Sequence, residues 1–276
     1  MKIAVVGLGL IGGSFAKAFA GKEDTVVYCL DQDGETIARA RLEGAMDEAL
    51  TKENIGECDV IFVALYPKAT ESFLKEYAPF ISKSAKVIDC GGTKRGICEE
   101  GFKLAEKYGF CFIGGHPMAG THFSGFRYAR ASLFSGASMV LVPKRNETIE
   151  TLQSIKELLV MAGFKSVTVS TAEEHDRIIA FTSQLAHIVS NAYVKSPNAM
   201  VHKGFSAGSY RDLTRVAKLN PAMWAELFLE NSDNITFEIE NLIAELQKYS
   251  NAIKEGNREE LENLLAEGTK IKESIG

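Results

Sequence analysis

The residues best suited to chemistry stand in a few short clusters. Gly7-Leu8-Gly9-Leu10-Ile11-Gly12 follows a β-branched apolar run at 2–6 and precedes a helical pattern. The first glycine permits a tight turn and the second lets backbone approach a pyrophosphate. The third allows close helix–strand packing, with the helix N-terminus facing the phosphates. Asp31 ends a second such run, about 20 residues after the last glycine, where a ribose-binding carboxylate is expected. A carboxylate there repels a 2′-phosphate, and Gln32 and Asp33 follow it rather than an arginine, so NAD is favoured over NADP. The alternative is a glycine turn without a ligand and a surface aspartate. Leu65 ends a third run, at 60–65, and with Tyr66 and Pro67 after it either lines the cofactor at a strand end or forms a plain structural turn.

A second cluster is Gly114-Gly-His116-Pro-Met-Ala-Gly-Thr121-His122. Glycines flank His116, and Pro117 is expected to stop a strand ladder, which predicts a loop at the nicotinamide end of the cofactor. Imidazole is the natural general base near neutral pH. The alternative is a structural histidine in a turn. Ser183 and His187 lie one helical turn apart, and His187 alone fits a satisfied core histidine equally well. Asp212 and Arg215 are either a helix-surface pair or a carboxylate clamp made by the arginine. Trp224, the single tryptophan, is explained by packing alone. The five histidines show no spacing typical of a zinc site, so no metal is expected.

These residues need elements to hold them. Strand patterns at 2–6, 26–30, 60–65, 86–89, 110–114, 138–142 and 166–168 alternate with helical patterns, predicting an α/β, doubly wound Rossmann-type sheet over residues 1–170. After residue 170 no strand pattern occurs. Thr171 to Glu174 forms a capping box that opens a helix running toward Lys195, apolar on nearly every side and therefore buried in its own domain or against a partner chain. Asn220-Pro221 opens another helix, 233–254 a third, and Asn257 caps the last. Residues 171–276 are thus expected to form an all-helical domain.

The bulk numbers exclude several classes. A net charge of −5 gives nucleic acid no electrostatic support. No apolar run approaches the ~20 residues of a membrane span. The first residues, MKIAVVGLG, already read as a strand and not as a signal peptide. The five cysteines, at 29, 58, 90, 98 and 111, include no CxxC pair and fit buried, reduced thiols in a cytoplasmic protein.

Together, GLGLIGGS at 7–14, GGHPMAGTHFSG at 114–125, SQLAH at 183–187 and RDLTRVAKLNPAMW at 211–224 resemble the prephenate/arogenate dehydrogenase family of tyrosine biosynthesis. The similarity covers about residues 1–250, and the GHPMAG and DLTRVA elements are far more specific than the glycine fingerprint. The resemblance implies a Rossmann domain joined to a helical domain that forms a homodimer, with the active site between them. It implies NAD-dependent oxidation and decarboxylation of prephenate to 4-hydroxyphenylpyruvate, or the same reaction on arogenate. A non-catalytic NAD-binding protein is the remote alternative. Matching positions imply that His116 is the base for the ring hydroxyl and that Arg215 binds a substrate carboxylate. They place His187 and Ser183 in the substrate pocket, with Thr121, Gly208 and Trp224 near it. Many family members carry a serine that supports the histidine; its position here is Gly92, with Thr93 next, so that either Thr93 substitutes from a shifted loop or this support is absent or water-mediated. Lys94, Arg95, Arg127, Arg130 and His122 are available to make the site positive. The chain's length is expected to leave no added regulatory or chorismate mutase domain.

Overall fold

The computed structural model describes every residue except His122, so the expectation for that side chain lies outside the described residues. In chain order the first half runs β1 (Lys2–Val6), α1 (Leu10–Phe19), β2 (Val26–Leu30), α2 (Gly34–Leu42), β3 (Glu48–Ala49), β4 (Val60–Val63), α3 (Pro67–Tyr77), β5 (Lys86–Asp89), α4 (Arg95–Tyr108), β6 (Cys111–Pro117), β7 (Ser138–Val142), α5 (Ile149–Met161) and β8 (Ser166–Val169). The eight strands form one sheet in the order β3-β2-β1-β4-β5-β6-β7-β8. Its first six positions are those of a dinucleotide-binding sheet, whose order reverses between β1 and β4. All neighbouring pairs are parallel except β6 with β7.

Strand side chains alternate between faces, and both faces here are covered. Ile3, Val5, Val60, Phe62, Ile88 and Ile113 enter one core with Phe15 and Phe19 of α1 and Ile155 of α5. Ala4, Val6, Ile61, Val63, Val87 and Phe112 enter the other with Phe73 of α3 and Ile97 of α4. The Phe15 ring stacks on Phe62 with centroids 4.2 Å apart and meets Phe134 at 4.3 Å. This double burial explains the near-continuous apolar strands.

Two strand expectations change. The run at 60–65 pairs only through Val63, leaving Ala64 and Leu65 to turn toward α3. Conversely, β6 continues through Pro117, so His116 stands on a strand and not in a loop. Met118 N donates to Ser138 O at 2.9 Å, which makes Pro117–Met139 a non-hydrogen-bonded pair of the antiparallel ladder. A proline there removes no donor that the ladder needs.

The second half is helical: α6 (Ala172–Ile179), a π-helical stretch (Ala180–Leu185), α7 (Ala186–Tyr193), α8 (Gly208–Thr214), α9 (Pro221–Glu230), α10 (Ser232–Glu255) and α11 (Arg258–Ile275). Its caps are those expected: Thr171 accepts from Glu174 N, Asn220 from Met223 N and Asn257 from Glu260 N, at 3.1, 3.2 and 3.1 Å. The helix from 172 is buried on one side only. Ile179, Ala180 and Leu185 are covered, whereas Ile178 and Phe181 are exposed.

The two halves are fastened by polar groups. Asp176 of α6 accepts the backbone N–H groups of Lys94 and Arg95 at 2.7 and 2.9 Å. The Arg95 guanidinium bonds Asp176, Asn231 and Asp233. Asn231, fully buried, donates to Asp176 O and to Gln184 Oε1, each at 2.8 Å.

Candidate active site

The carboxyl ends of β1, β4, β5 and β6 lie on one edge of the sheet, because these strands are mutually parallel. Gly7, Leu65, Asp89 and His116 therefore share that edge. Gly7 has φ +84°, and a Cβ on it would meet Ala64 O at 2.6 Å. A Cβ on Gly12 would lie 1.8 Å from Gly7 O, while Gly9 faces open space. No side chain caps α1. An uncapped helix start behind an open glycine is the cradle that a pyrophosphate needs. Asp31 closes the turn: Oδ2 accepts Leu8 N at 2.6 Å and Oδ1 accepts Asp33 N at 2.9 Å. The Asp31 carboxylate is thus fixed against the glycine turn. The Leu65 side chain abuts Gly7, Tyr66 is half exposed, and Pro67 is the buried first residue of α3. Leu10 and Ile11 begin α1 and pack partly on the core below.

His116 is partly buried, and its Nδ1 lies 2.9 Å from His175 Nε2. His175 Nδ1 in turn lies 2.7 Å from Asp176 Oδ1. Burial holds the His116 pKa well below the usual histidine value, with smaller contributions from His175 and the Lys94 ammonium. Burial likewise lowers that of His175, against the pull of Asp176. The Asp176 carboxyl sits below its ordinary value: the bonds from His175 and the backbone of Arg95 and Lys94 outweigh its burial.

Thr93 does not support His116. Its hydroxyl donates to Glu230 Oε2 of α9 at 2.5 Å, which corrects the expected substitution for the missing serine. Gly92 is covered instead by Leu227: a Cβ there would stand 3.3 Å from the leucine Cδ2. Two cations expected near substrate are also engaged elsewhere. Lys94 is fully buried in an ion pair with Asp89, and Arg95 belongs to the interdomain clasp.

Ser183 lies in the π-helical stretch. His187 Nδ1–H donates to the Ser183 carbonyl at 2.8 Å, and its ring lies 4.1 Å from Trp224. Trp224 and Leu227 both stand on α9, so His187, Trp224, Leu227, Gly92 and Thr93 form one connected wall. Thr121 exchanges hydrogen bonds with the Phe123 backbone on an exposed loop. Gly208 opens α8, where a Cβ would meet nothing within 4 Å. Arg215 is exposed just beyond α8 and makes no hydrogen bond or ion pair with any described residue. Asp212 faces Arg211 at 3.8 Å and not Arg215.

The sequence offered no functional signal for His175 and Asp176, which it showed only as part of a helix start. Burial pushes the thiols of Cys29, Cys58, Cys98 and Cys111 up to about 12, as inert structural cysteines require.

Known proteins extend these observations. Residues 15–168 match the family described as the prephenate dehydrogenase nucleotide-binding domain, and 171–267 its dimerization domain. A prephenate dehydrogenase of Lactococcus lactis subsp. cremoris is 32% identical over 99% of this chain and 77% of its own. A solved prephenate dehydrogenase from A. aeolicus, in complex with hydroxyphenyl propionate and NAD+, is 28% identical, with TM-score 0.84 over 100% of this chain and 98% of its own. The solved Synechocystis arogenate dehydrogenase is 26% identical, with TM-score 0.81 over the whole of both chains. By both halves, and at this identity over nearly its whole length, the chain belongs to the prephenate dehydrogenase family.

Proposed function

We propose that the protein is an NAD-dependent prephenate dehydrogenase of tyrosine biosynthesis, acting in the cytoplasm as a homodimer. Residues 1–170 would bind the dinucleotide and residues 171–276 would carry the substrate and dimer contacts. The observation that carries this proposal is His116: an imidazole kept neutral by burial, on the sheet edge that holds the glycine turn. Bound NAD supplies the hydride acceptor. Gly7 to Gly12 seat its pyrophosphate, Asp31 its adenosine ribose, and Leu65, Tyr66 and Pro67 flank it.

The chain's own task is to orient the substrate and handle one proton. His116 draws the proton from the ring hydroxyl as the ring is oxidised. The ring carboxylate leaves as carbon dioxide, its bonding pair completes the aromatic ring, and His116 returns the proton to the phenolate oxygen. Arg215 holds a substrate carboxylate through paired hydrogen bonds. His187 and Ser183 face the substrate from α7 and the π-helical stretch, with Trp224, Thr121 and Gly208 beside them.

The expected result is NAD reduction with prephenate, and loss of most turnover in His116→Asn with NAD binding retained. Full activity in that variant would remove His116 as the base. One observation favours arogenate as a second substrate. Glu230 places a carboxylate beside Thr93 at the end of β5, where an ammonium would find a partner. Comparing kcat/KM on the two substrates decides between them.

A further inference from the structure

We infer that His175 and Asp176 set the tautomer of His116, so that its Nε2 carries the lone pair that meets the substrate. His175 is then a positioning residue. The inference rests on His116 being the base, as proposed above.

The chain of contacts has one consistent assignment of protons. Asp176 accepts from Lys94 N, Arg95 N and the Arg95 guanidinium, at 2.7, 2.9 and 3.3 Å. Four donors, counting His175 itself, hold it as a carboxylate, which can only accept. The 2.7 Å contact to His175 Nδ1 therefore requires a proton on that nitrogen. Burial keeps His175 neutral, so its Nε2 is bare and must accept. The 2.9 Å contact to His116 then requires Nδ1–H on His116, and its Nε2 is left unprotonated. The reverse arrangement would turn a bare His175 Nδ1 toward a carboxylate.

The same chain serves the step itself. When His116 Nε2 takes a proton, the new positive charge is shared through Nδ1–H to His175 and compensated by Asp176. The other charged group acting on the ring is the Lys94 ammonium, itself in a buried ion pair with Asp89, and it disfavours a cationic His116. Neither Gly92, which has no side chain, nor Thr93, bonded to Glu230, competes for Nδ1.

The test is heteronuclear NMR of the full-length protein with 15N-labelled histidines at pH 8, assigned with His116→Asn and His175→Gln. Two Nδ1–H tautomers, one each for His116 and His175, are expected. An Nε2–H tautomer of His116 overturns the inference, even in an enzyme whose turnover needs His116. The failure of His116 as base is read separately, from His116→Asn activity. In kinetics, His175→Leu should lower kcat about 10-fold or more while KM for prephenate moves little, the pattern expected of a base held in the wrong tautomer. His175→Gln, whose carboxamide oxygen can accept from Nδ1–H, should recover most of that loss. Wild-type kcat in His175→Leu, or no recovery in His175→Gln despite a folded protein by thermal melt, overturns the positioning role.

Discussion

Burial holds the His116 imidazole well below the usual histidine pKa of 6.5, and its neighbours add to the shift. A base with a lowered pKa stays unprotonated as pH falls through neutrality and fails only when protonated. The acid limb of kcat/KM for prephenate should therefore lie below pH 6.5; a limb above pH 6.5 would contradict the burial that sets it. The role proposed for Arg215 rests on a different mechanism. It is exposed and makes no bond with any described residue, so its fork is open to a ligand. Arg215→Ala should raise KM for prephenate about 10-fold or more, the scale of a lost charge-assisted hydrogen bond, with little change in NAD binding. An unchanged KM would remove it from the site.

At the scale of elements, two junctions decide the geometry. The first is the turn from β1 into α1. A methyl group at position 12 would lie 1.8 Å from Gly7 O, closer than any contact allows, so Gly12→Ala must displace backbone. The expected cost is about 1–3 kcal/mol of stability from overpacking, and isothermal titration should show NAD affinity reduced at least about 10-fold. Normal affinity would mean that the turn does not seat the cofactor. The second junction is the start of α6, where Asp176 takes two backbone donors from the loop after β5 and also faces His175. One carboxylate thus fastens the helical half to the sheet and fixes the histidine pair. The π-helical stretch that follows shifts the register of the helix between His175 and His187. Such insertions recur at functional sites because they turn a side chain without breaking the helix.

For the whole molecule, the apolar surface of the helical half is the governing fact. Ile178, Phe181, Phe237 and Ile253 are exposed in the single chain, at 43, 59, 63 and 65%. Apolar side chains in this number mark a surface for a partner, and the family match over 171–267 is to a dimerization domain. A glutamate at position 181 would bring a charge into that surface. Phe181→Glu should shift sedimentation from dimer toward monomer at micromolar concentration while the circular dichroism spectrum stays helical. An unchanged dimer would place the contact elsewhere on the helical half.

Much of this was legible in the residues because the signals are local. Gly7 to Gly12 and Asp31 announce a dinucleotide turn through spacing alone, since the turn, the helix start and the carboxylate lie within one βαβ unit. The caps at Thr171, Asn220 and Asn257 are equally local, each joining a side chain to an amide three residues on. Motif resemblance singled out His116 as well, although Pro117 misled on its setting: a proline ends a ladder only where the ladder needs an N–H at that position, and strand pairing decides where that is. What the chain alone could not show are contacts between distant segments. His175 lies 59 residues from His116, and Thr93 lies 137 from Glu230. Whether a threonine or a histidine holds the imidazole depends on how the helical half docks on the sheet. The sequence by itself determined the sheet and the cofactor turn, and it singled out His116 as the proposed base. Only the tertiary structure decided what His116 meets on its other side, because His175 reaches it through the docking of the helical half on the sheet.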